Sequence, residues 1–292
     1  MIPATAARRL IVVACLLAGS VAHAEQEPAF GPPQPVALRG YDGDAMEPFL
    51  TRDGRYLLFN NRNDPDVDTN LHVARRVDDL NFDWQGELNS ANSPVLDGVP
   101  SVDDRDNLYF VSLRAYAETL STIYQARFDG VATSFPKLVD GVSRRLNGFV
   151  NFDAEISADG RLLFFVDGRF SGGPHPRSAD IAIAVRDGPR FRRLPDSDRL
   201  LARINTSALE YAPALSVNQL ELLFTRIDRR QRMPRPEILR AVRRHTHEPF
   251  GEPEPIPALS GFVEAPALST DGRLLYFHKL EGGRFVLYMS RR

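Results

Sequence analysis

The sequence has 292 residues, 43% of them hydrophobic and 25% charged, with a formal net charge of -2. Such ordinary globular composition excludes disordered, collagen-like and multispan membrane classes, and the charge argues against nucleic-acid binding through a bulk positive field. Among 36 basic residues only Lys137 and Lys279 are lysine. With abundant Ala and Pro, that arginine excess reads as codon usage rather than function.

Residues 1–24 read as a secretory leader. Arg8 and Arg9 form a basic start, Leu10 to Leu17 an apolar run, and Ala22-His23-Ala24 a small-residue cleavage site. The run is shorter than the ~20 residues of a membrane-spanning helix. Val12-Val13-Ala14-Cys15 only weakly mimics a lipoprotein processing site, so cleavage after Ala24 is the expectation. The leader takes with it two arginines, no acid and the only cysteine, leaving 268 residues with a charge of -4. The expected product is a periplasmic or secreted, soluble single domain over residues 25–292. It has no disulfide, thiolate zinc site or cysteine nucleophile.

Five internal repeats organise the rest. Leu50-Thr51-Arg52-Asp53-Gly54-Arg55-Tyr56-Leu57-Leu58-Phe59 recurs as Ile156 to Phe165 and as Leu268 to Phe277, with degenerate copies at Asp104 to Phe110 and Asn218 to Phe224. The anchor positions 53, 104, 159, 218 and 271 are spaced by 51, 55, 59 and 53 residues. Asp-Gly suits a tight hairpin turn, and the Leu/Tyr/Phe run that follows suits a strand. A third strand recurs at Leu71 to Arg76, Ile123 to Arg127, Ile181 to Arg186, Ile238 to Arg243 and Leu287 to Arg291.

A weaker fourth strand is expected at Phe82 to Leu88, Phe135 to Val139, Phe191 to Leu194 and Phe250 to Ile256. Its fifth copy lies at the other end of the chain, where Phe30-Gly31-Pro32-Pro33-Gln34-Pro35-Val36 matches Phe250 to Ile256. The predicted fold is therefore all-β: a five-bladed β-propeller of four-stranded blades, the last blade closed by the N-terminal strand. Closure removes a free sheet edge. An open solenoid is the alternative, and it would need polar caps.

Ser-x-Asp-Gly-Arg-x-Leu-x-Phe, with Glu210-Tyr211-Ala212-Pro213-Ala214-Leu215-Ser216 and Glu264-Ala265-Pro266-Ala267-Leu268-Ser269 upstream of two copies, resembles the WD40-like propeller repeat of TolB-type bacterial proteins. The resemblance covers residues 30–292 and implies a fold rather than an activity. It departs from TolB itself, which adds an N-terminal α/β domain and a sixth blade. It also implies that loops entering the innermost strands share a face with loops joining second to third strands.

On that face the inner-strand entries carry Glu47, Asp97, Asp153 with Glu155, Glu210 and Glu264. Read functionally, they form an acidic ring for a cation, a cationic ligand or a sugar, and Glu47, Asp153, Glu155, Glu210 and Glu264 would supply the acid and base of glycoside chemistry. Read structurally, each is a repeat-encoded turn cap or arginine partner. Convergence of two or three in an open pocket favours the first reading, and local pairing of each favours the second.

Asp64, Asp66, Asp68 and Asn70 alternate like the opening ligands of a calcium loop, although the glycine and distal Glu of such a loop are absent and an Asx-capped turn explains them better. Arg226 to Arg244 is arginine-rich; Arg226 and Arg229 are its candidates for gripping an anion. His175, in the Gly/Pro-rich loop Asp167 to Arg177, is a further candidate contact. His245-Thr246-His247 reads as surface, and Trp84 and the phenylalanines as core between blades. No Gly-x-Ser-x-Gly elbow, His-Glu-x-x-His, phosphate loop or dinucleotide fingerprint occurs.

These readings favour a non-catalytic scaffold that binds a small molecule, saccharide or protein through the loop face, with no cofactor unless calcium. The alternative is a carboxylate-dependent glycan hydrolase or lyase acting around the central channel.

Overall fold

The computed structural model describes residues 29–63, 68–173 and 175–292. After β1 (Gln34–Pro35) and β2 (Ala37–Arg39), the first repeat folds as β3 (Met46–Leu50), β4 (Tyr56–Asn60), β5 (Leu71–Arg76) and β6 (Asn81–Glu87). The second holds β7 (Asp97–Val102), β8 (Asn107–Ser112), a helical turn α1 (Tyr116–Thr119), β9 (Ile123–Arg127) and β10 (Lys137–Leu138). β11 (Phe149–Ile156), β12 (Leu162–Arg169), β13 (Ser178–Asp187) and β14 (Arg190–Arg193) form the third. A short α2 (Ser197–Leu200) precedes β15 (Leu209–Leu215), β16 (Glu221–Ile227), β17 (Glu237–Val242) and β18 (Glu254–Pro255). β19 (Val263–Leu268), β20 (Leu274–Glu281) and β21 (Arg284–Arg291) complete the chain.

Within each repeat, consecutive strands pair antiparallel, and the third and fourth repeats join through one parallel bridge, Ala179 with Leu209. β1 pairs with β21, placing Gln34 opposite Met289 and Pro35 opposite Tyr288. β2 adds to the outer edge of β6 in parallel. The first strands lie side by side in the order β3, β7, β11, β15, β19, and β19 lies against β3.

The repeat motif explains the turns. Gly54, Gly160 and Gly272 have φ of +71°, +70° and +71°, the conformation in which a Cβ is costly. The degenerate copies place Asp106 and Gln219 there instead, at φ 60° and 62°. The preceding Asp caps the turn: Asp53 Oδ1 accepts from the Thr51 hydroxyl at 2.7 Å and from the Arg55 amide at 3.0 Å. Asp159 and Asp271 do the same with Ser157 and Ser269.

The arginine excess has a structural use. Arg186, Arg243 and Arg292 end their third strands, and their Nε donates to the turn carbonyls of Gly160, Gln219 and Gly272 at 2.7, 2.9 and 2.7 Å. Each guanidinium also covers a fourth-strand phenylalanine, at 4.6 Å for Phe191, 4.2 Å for Phe250 and 4.6 Å for Phe30. Phe30 thus serves the last repeat as Phe250 serves the fourth, although it lies at the opposite end of the sequence. Arg292 reaches on to both oxygens of Glu221 in the fourth repeat, at 2.7 Å each.

Apolar side chains are buried between adjacent repeats. Leu57, Phe59 and Ala74 of the first meet Tyr276, Leu287 and Met289 of the last, and Phe164 and Ile183 of the third meet Leu222, Phe224 and Leu239 of the fourth. The phenylalanine expectation fails most plainly at Phe135, which is 85% exposed, and Phe149, Phe152, Phe170, Phe262 and Phe285 are only half-buried. The second repeat's outer strand is only Lys137–Leu138. Pro136 removes a ladder donor at that edge. Trp84 is half-buried, against Tyr41 and His72.

Candidate active site

Every first strand carries a bulge at one equivalent position. Register breaks fall between Met46 and Phe49, Gly98 and Ser101, Phe152 and Glu155, Tyr211 and Ala214, and Glu264 and Ala267. At each break one residue sits at positive φ: Glu47 (50°), Val99 (57°), Asp153 (52°), Ala212 (48°) and Ala265 (53°). None is glycine, so each conformation costs of order 1–3 kcal/mol. Bulges re-aim side chains, and these five line one small central cavity, together with Pro48, Pro100, Pro213 and Pro266. Its volume is about 30 Å³, room for about one water molecule.

The bulge amides are held by neighbouring repeats. Val99 N–H donates to Asn60 Oδ1 at 2.9 Å, Ala265 N–H to Thr225 Oγ1 at 3.0 Å, and Glu47 N–H to His278 Nδ1 at 3.2 Å. Asn60, Thr225 and His278 occupy one repeat position, the residue after the aligned phenylalanine. Ala212 N–H donates instead to Asp153 Oδ2 at 2.8 Å.

The six candidate carboxylates therefore separate into two sets. Asp97 and Glu210 sit two residues before the bulge, fully buried, and pair with Arg114 and Arg226 at 2.6 and 2.8 Å. Each also accepts a nearby hydroxyl, Ser93 at 2.7 Å and Thr206 at 2.6 Å. Glu155 lies two residues after its bulge, against Arg52 at 3.3 Å and the Ser101 hydroxyl at 2.7 Å. Burial raises its pKa, and Arg52 and Ser101 oppose that rise. All three are arginine-paired, although Glu155 also lines the central cavity.

Glu47, Asp153 and Glu264 form the other set, held by amide, hydroxyl and imidazole groups. Glu47 Oε1 accepts from Asn63 Nδ2 at 3.0 Å. Glu264 accepts the Tyr211 hydroxyl on Oε1, and its Oε2 lies 3.1 Å from His278 Nε2. Burial, then repulsion from Asp153 and Glu264, pushes the Glu47 pKa well above the usual carboxylate range. Burial dominates for Asp153 too, pushing it up to about 7 against the opposing Ala212 amide. The Tyr211 phenol is raised by burial and by the same carboxylates. A buried carboxyl pushed up to about 7 beside a second carboxyl group in a different hydrogen-bonding environment is the pattern of an acid–base site.

The remaining candidates lie elsewhere. Arg226 also donates to the Ile204 carbonyl at 2.8 Å, and Arg229 ties its loop to the Pro176 and Arg177 carbonyls. His175 is exposed. Asp64 and Asp66 fall outside the described residues; Asp68 and Asn70 help close the loop, Asp68 through its carbonyl to Asn61 Nδ2 at 2.7 Å and Asn70 through its amide to Glu87 at 3.3 Å. Among the described residues no group of three His, Cys, Asp or Glu is placed to hold a metal. A larger cavity of about 480 Å³, lined by Asp167, Asp180, Arg193 and Asn205, lies at the junction of the third and fourth repeats. It contains none of the three convergent carboxylates.

No family model and no curated protein matches the sequence. Solved structures do. A glycoside hydrolase, 9% identical, matches over 90% of this chain and 91% of its own with a TM-score of 0.62. An endo-arabinase from Bacteroides thetaiotaomicron, 13% identical, matches over 91% and 98% with a TM-score of 0.55. The chain has a β-propeller fold. TolB from Acinetobacter baumannii, 16% identical, matches over 86% of this chain and 55% of its own with a TM-score of 0.46, so the TolB-type resemblance rests on the repeat motif alone.

In the sequence Glu47, Asp153, Glu155, Glu210 and Glu264 look alike as acid–base candidates, because each lies near an inner-strand entry. The separating signal is position relative to the bulge: Glu47 and Asp153 occupy it, Glu264 precedes it by one, Asp97 and Glu210 by two. His278, Tyr211 and Asn63 were missed. A polar residue after the aligned phenylalanine would have pointed to His278.

Proposed function

We propose that this propeller is a carboxylate-dependent glycoside hydrolase. The observation that carries the reading is that Glu47 and Asp153 line one central cavity within electrostatic reach of Glu264, all three held by neutral donors while Asp97, Glu155 and Glu210 are paired with arginine. In this reading Asp153 is the general acid, giving its proton to the departing glycosidic oxygen. Glu264 is the base: it takes a proton from the water that attacks the anomeric carbon as the C–O bond breaks. Burial, then repulsion from Glu264, keeps Asp153 protonated. Glu47 and Asp153 line the central cavity, whereas Glu264 stands one residue before its bulge and outside that lining, so in this reading the sugar and the attacking water meet it from the loop face.

The scaffold reading has less behind it, since strained, mutually repelling buried carboxylates cost stability that mere binding does not require. The endo-arabinase match, and a further match to an exo-β-1,3-galactanase, make arabinose- and galactose-containing glycans the first substrates to assay. A five-bladed ring closed by the N-terminal strand supports this site; the β1–β21 pairing, the β19–β3 contact and Phe30 under Arg292 argue for it over an open solenoid. Export after Ala24 would put the enzyme where extracellular glycan is met, and N-terminal sequencing of the secreted product tests that cleavage.

The deciding experiment is hydrolysis of aryl arabinosides and galactosides and of the corresponding polysaccharides by wild type, Asp153→Asn and Glu264→Gln. Loss of about 10³-fold or more in both variants, with folding intact, supports the assignment. Equal rates in all three, or no turnover by wild type, refutes it.

A further inference from the structure

Resting on that hydrolase reading, we infer that His278 is a positioning residue that couples the strained backbone of Glu47 to the carboxylate of Glu264. Asn60, Thr225 and His278 share one position on the second strand, and each accepts the bulge amide of the next repeat, at 2.9, 3.0 and 3.2 Å. Accepting that amide is the architectural duty of the position. Asn or Thr is enough for it.

Histidine adds a second nitrogen on the far side of the ring. The amide of Glu47 can only donate, so His278 Nδ1 must be the acceptor, and the neutral ring then carries its proton on Nε2. That proton points at Glu264 Oε2, 3.1 Å away. Tyr211 donates to Oε1 of the same carboxylate. Both oxygens of Glu264 are thus directed, one by a phenol from β15 and one by an imidazole whose tautomer is set by β3. His278 is fully buried, with Phe285 edge-on to the ring at 5.4 Å, so the ring is confined by packing.

The consequence is mechanical. Glu47 holds φ 50° at its bulge, and the amide that needs a partner there is the amide that fixes the ring. A single imidazole therefore ties the first repeat's carboxylate-bearing bulge to the last repeat's base. Displacing a reacting group by about 1 Å costs on the order of 100-fold in rate.

Two variants separate the two duties. His278→Asn follows the precedent of Asn60: its carbonyl takes the Glu47 amide, but its side chain is too short to reach Glu264. His278→Phe fills the space and loses both contacts. His278→Asn is expected to keep the wild-type melting temperature within a few degrees, lower kcat about 100-fold and change KM less than threefold. His278→Phe is expected to lose melting temperature as well.

The second readout is the ¹⁵N spectrum of the histidine-labelled full chain at pH 7, which needs no activity. His278 is expected as the Nε2–H tautomer, with its signal shifted in Glu264→Ala. An Nδ1–H or doubly protonated ring overturns the inference, as does wild-type kcat in His278→Asn. If wild type hydrolyses no glycoside but the tautomer and its response to Glu264→Ala appear as expected, the hydrolase reading fails while the coupling stands.

Discussion

Asp153→Asn is expected to stabilise the protein while abolishing its activity. The carboxyl of Asp153 is buried, and its pKa stands at about 7 in the folded chain against 3.8 for the ordinary group. A carboxyl raised on folding favours the native state in its protonated form. Its contribution is complete below pH 3.8 and is lost as pH rises towards 7. With 1.36 kcal/mol per pKa unit, ionising Asp153 costs the native state about 3 kcal/mol at pH 6 and about 4 kcal/mol at pH 8. Asparagine resembles the protonated acid in shape and keeps an oxygen for the Ala212 amide. It cannot ionise. Urea unfolding of wild type and variant at pH 4, 6 and 8 should give coincident midpoints at pH 4 and a gap that widens to about 4 kcal/mol at pH 8. A gap that is constant with pH, or a variant less stable at pH 8, refutes the reasoning. A total stability of about 5–15 kcal/mol is usual, so such a sacrifice at one side chain is large and points to function.

Acid should act in the opposite sense through His72, which is stacked on Phe59 at 5.1 Å and has its pKa lowered by burial to about 4. Its neutral form is favoured by folding, so its contribution is complete above pH 6.5 and lost as pH falls towards 4. His72→Phe should therefore gain about 2.5 kcal/mol relative to wild type between pH 7.5 and 4.5, and parallel decline of the two midpoints would contradict this. Arg292→Met leaves Glu221 with one fewer buried partner and uncovers Phe30; a loss of about 3–5 kcal/mol in urea unfolding is expected, and a loss under 1 kcal/mol would deny the Arg292–Glu221 pair a role in joining the last repeat to the fourth. Val99→Gly relieves a β-branched residue at φ 57° and should cost much less than a glycine placed elsewhere in a strand, with a ΔΔG near zero by the same measurement.

Much of this architecture was legible in the sequence, because its causes are local. Asp-Gly at 53, 159 and 271 demands a turn, and the Leu/Tyr/Phe runs beyond it demand burial, so three hairpins follow from residues less than ten apart and the two degenerate copies follow by their likeness to them. Phe30 was legible only because Phe250 repeats its surroundings. The site was less legible, since a bulge moves a side chain by one position without altering composition. Glu47 and Glu210 look equivalent in sequence, yet one faces its fellow carboxylates and the other meets Arg226. The arginines misled for a related reason: Arg186, Arg243 and Arg292 act at long range, on turns more than 19 residues earlier in the chain. Phe135 shows the converse, where a phenylalanine in the expected register is exposed because Pro136 shortens the strand that would have buried it.

The most direct test of the central claim is product release from aryl arabinosides and galactosides as a function of pH, comparing wild type with Asp153→Asn. The account predicts turnover by wild type that falls as pH rises through about 7, where Asp153 loses its proton, and turnover reduced by about 10³-fold in the variant, with that limb gone. Wild type without glycosidase activity, or a variant with the same rate and pH profile, would contradict it.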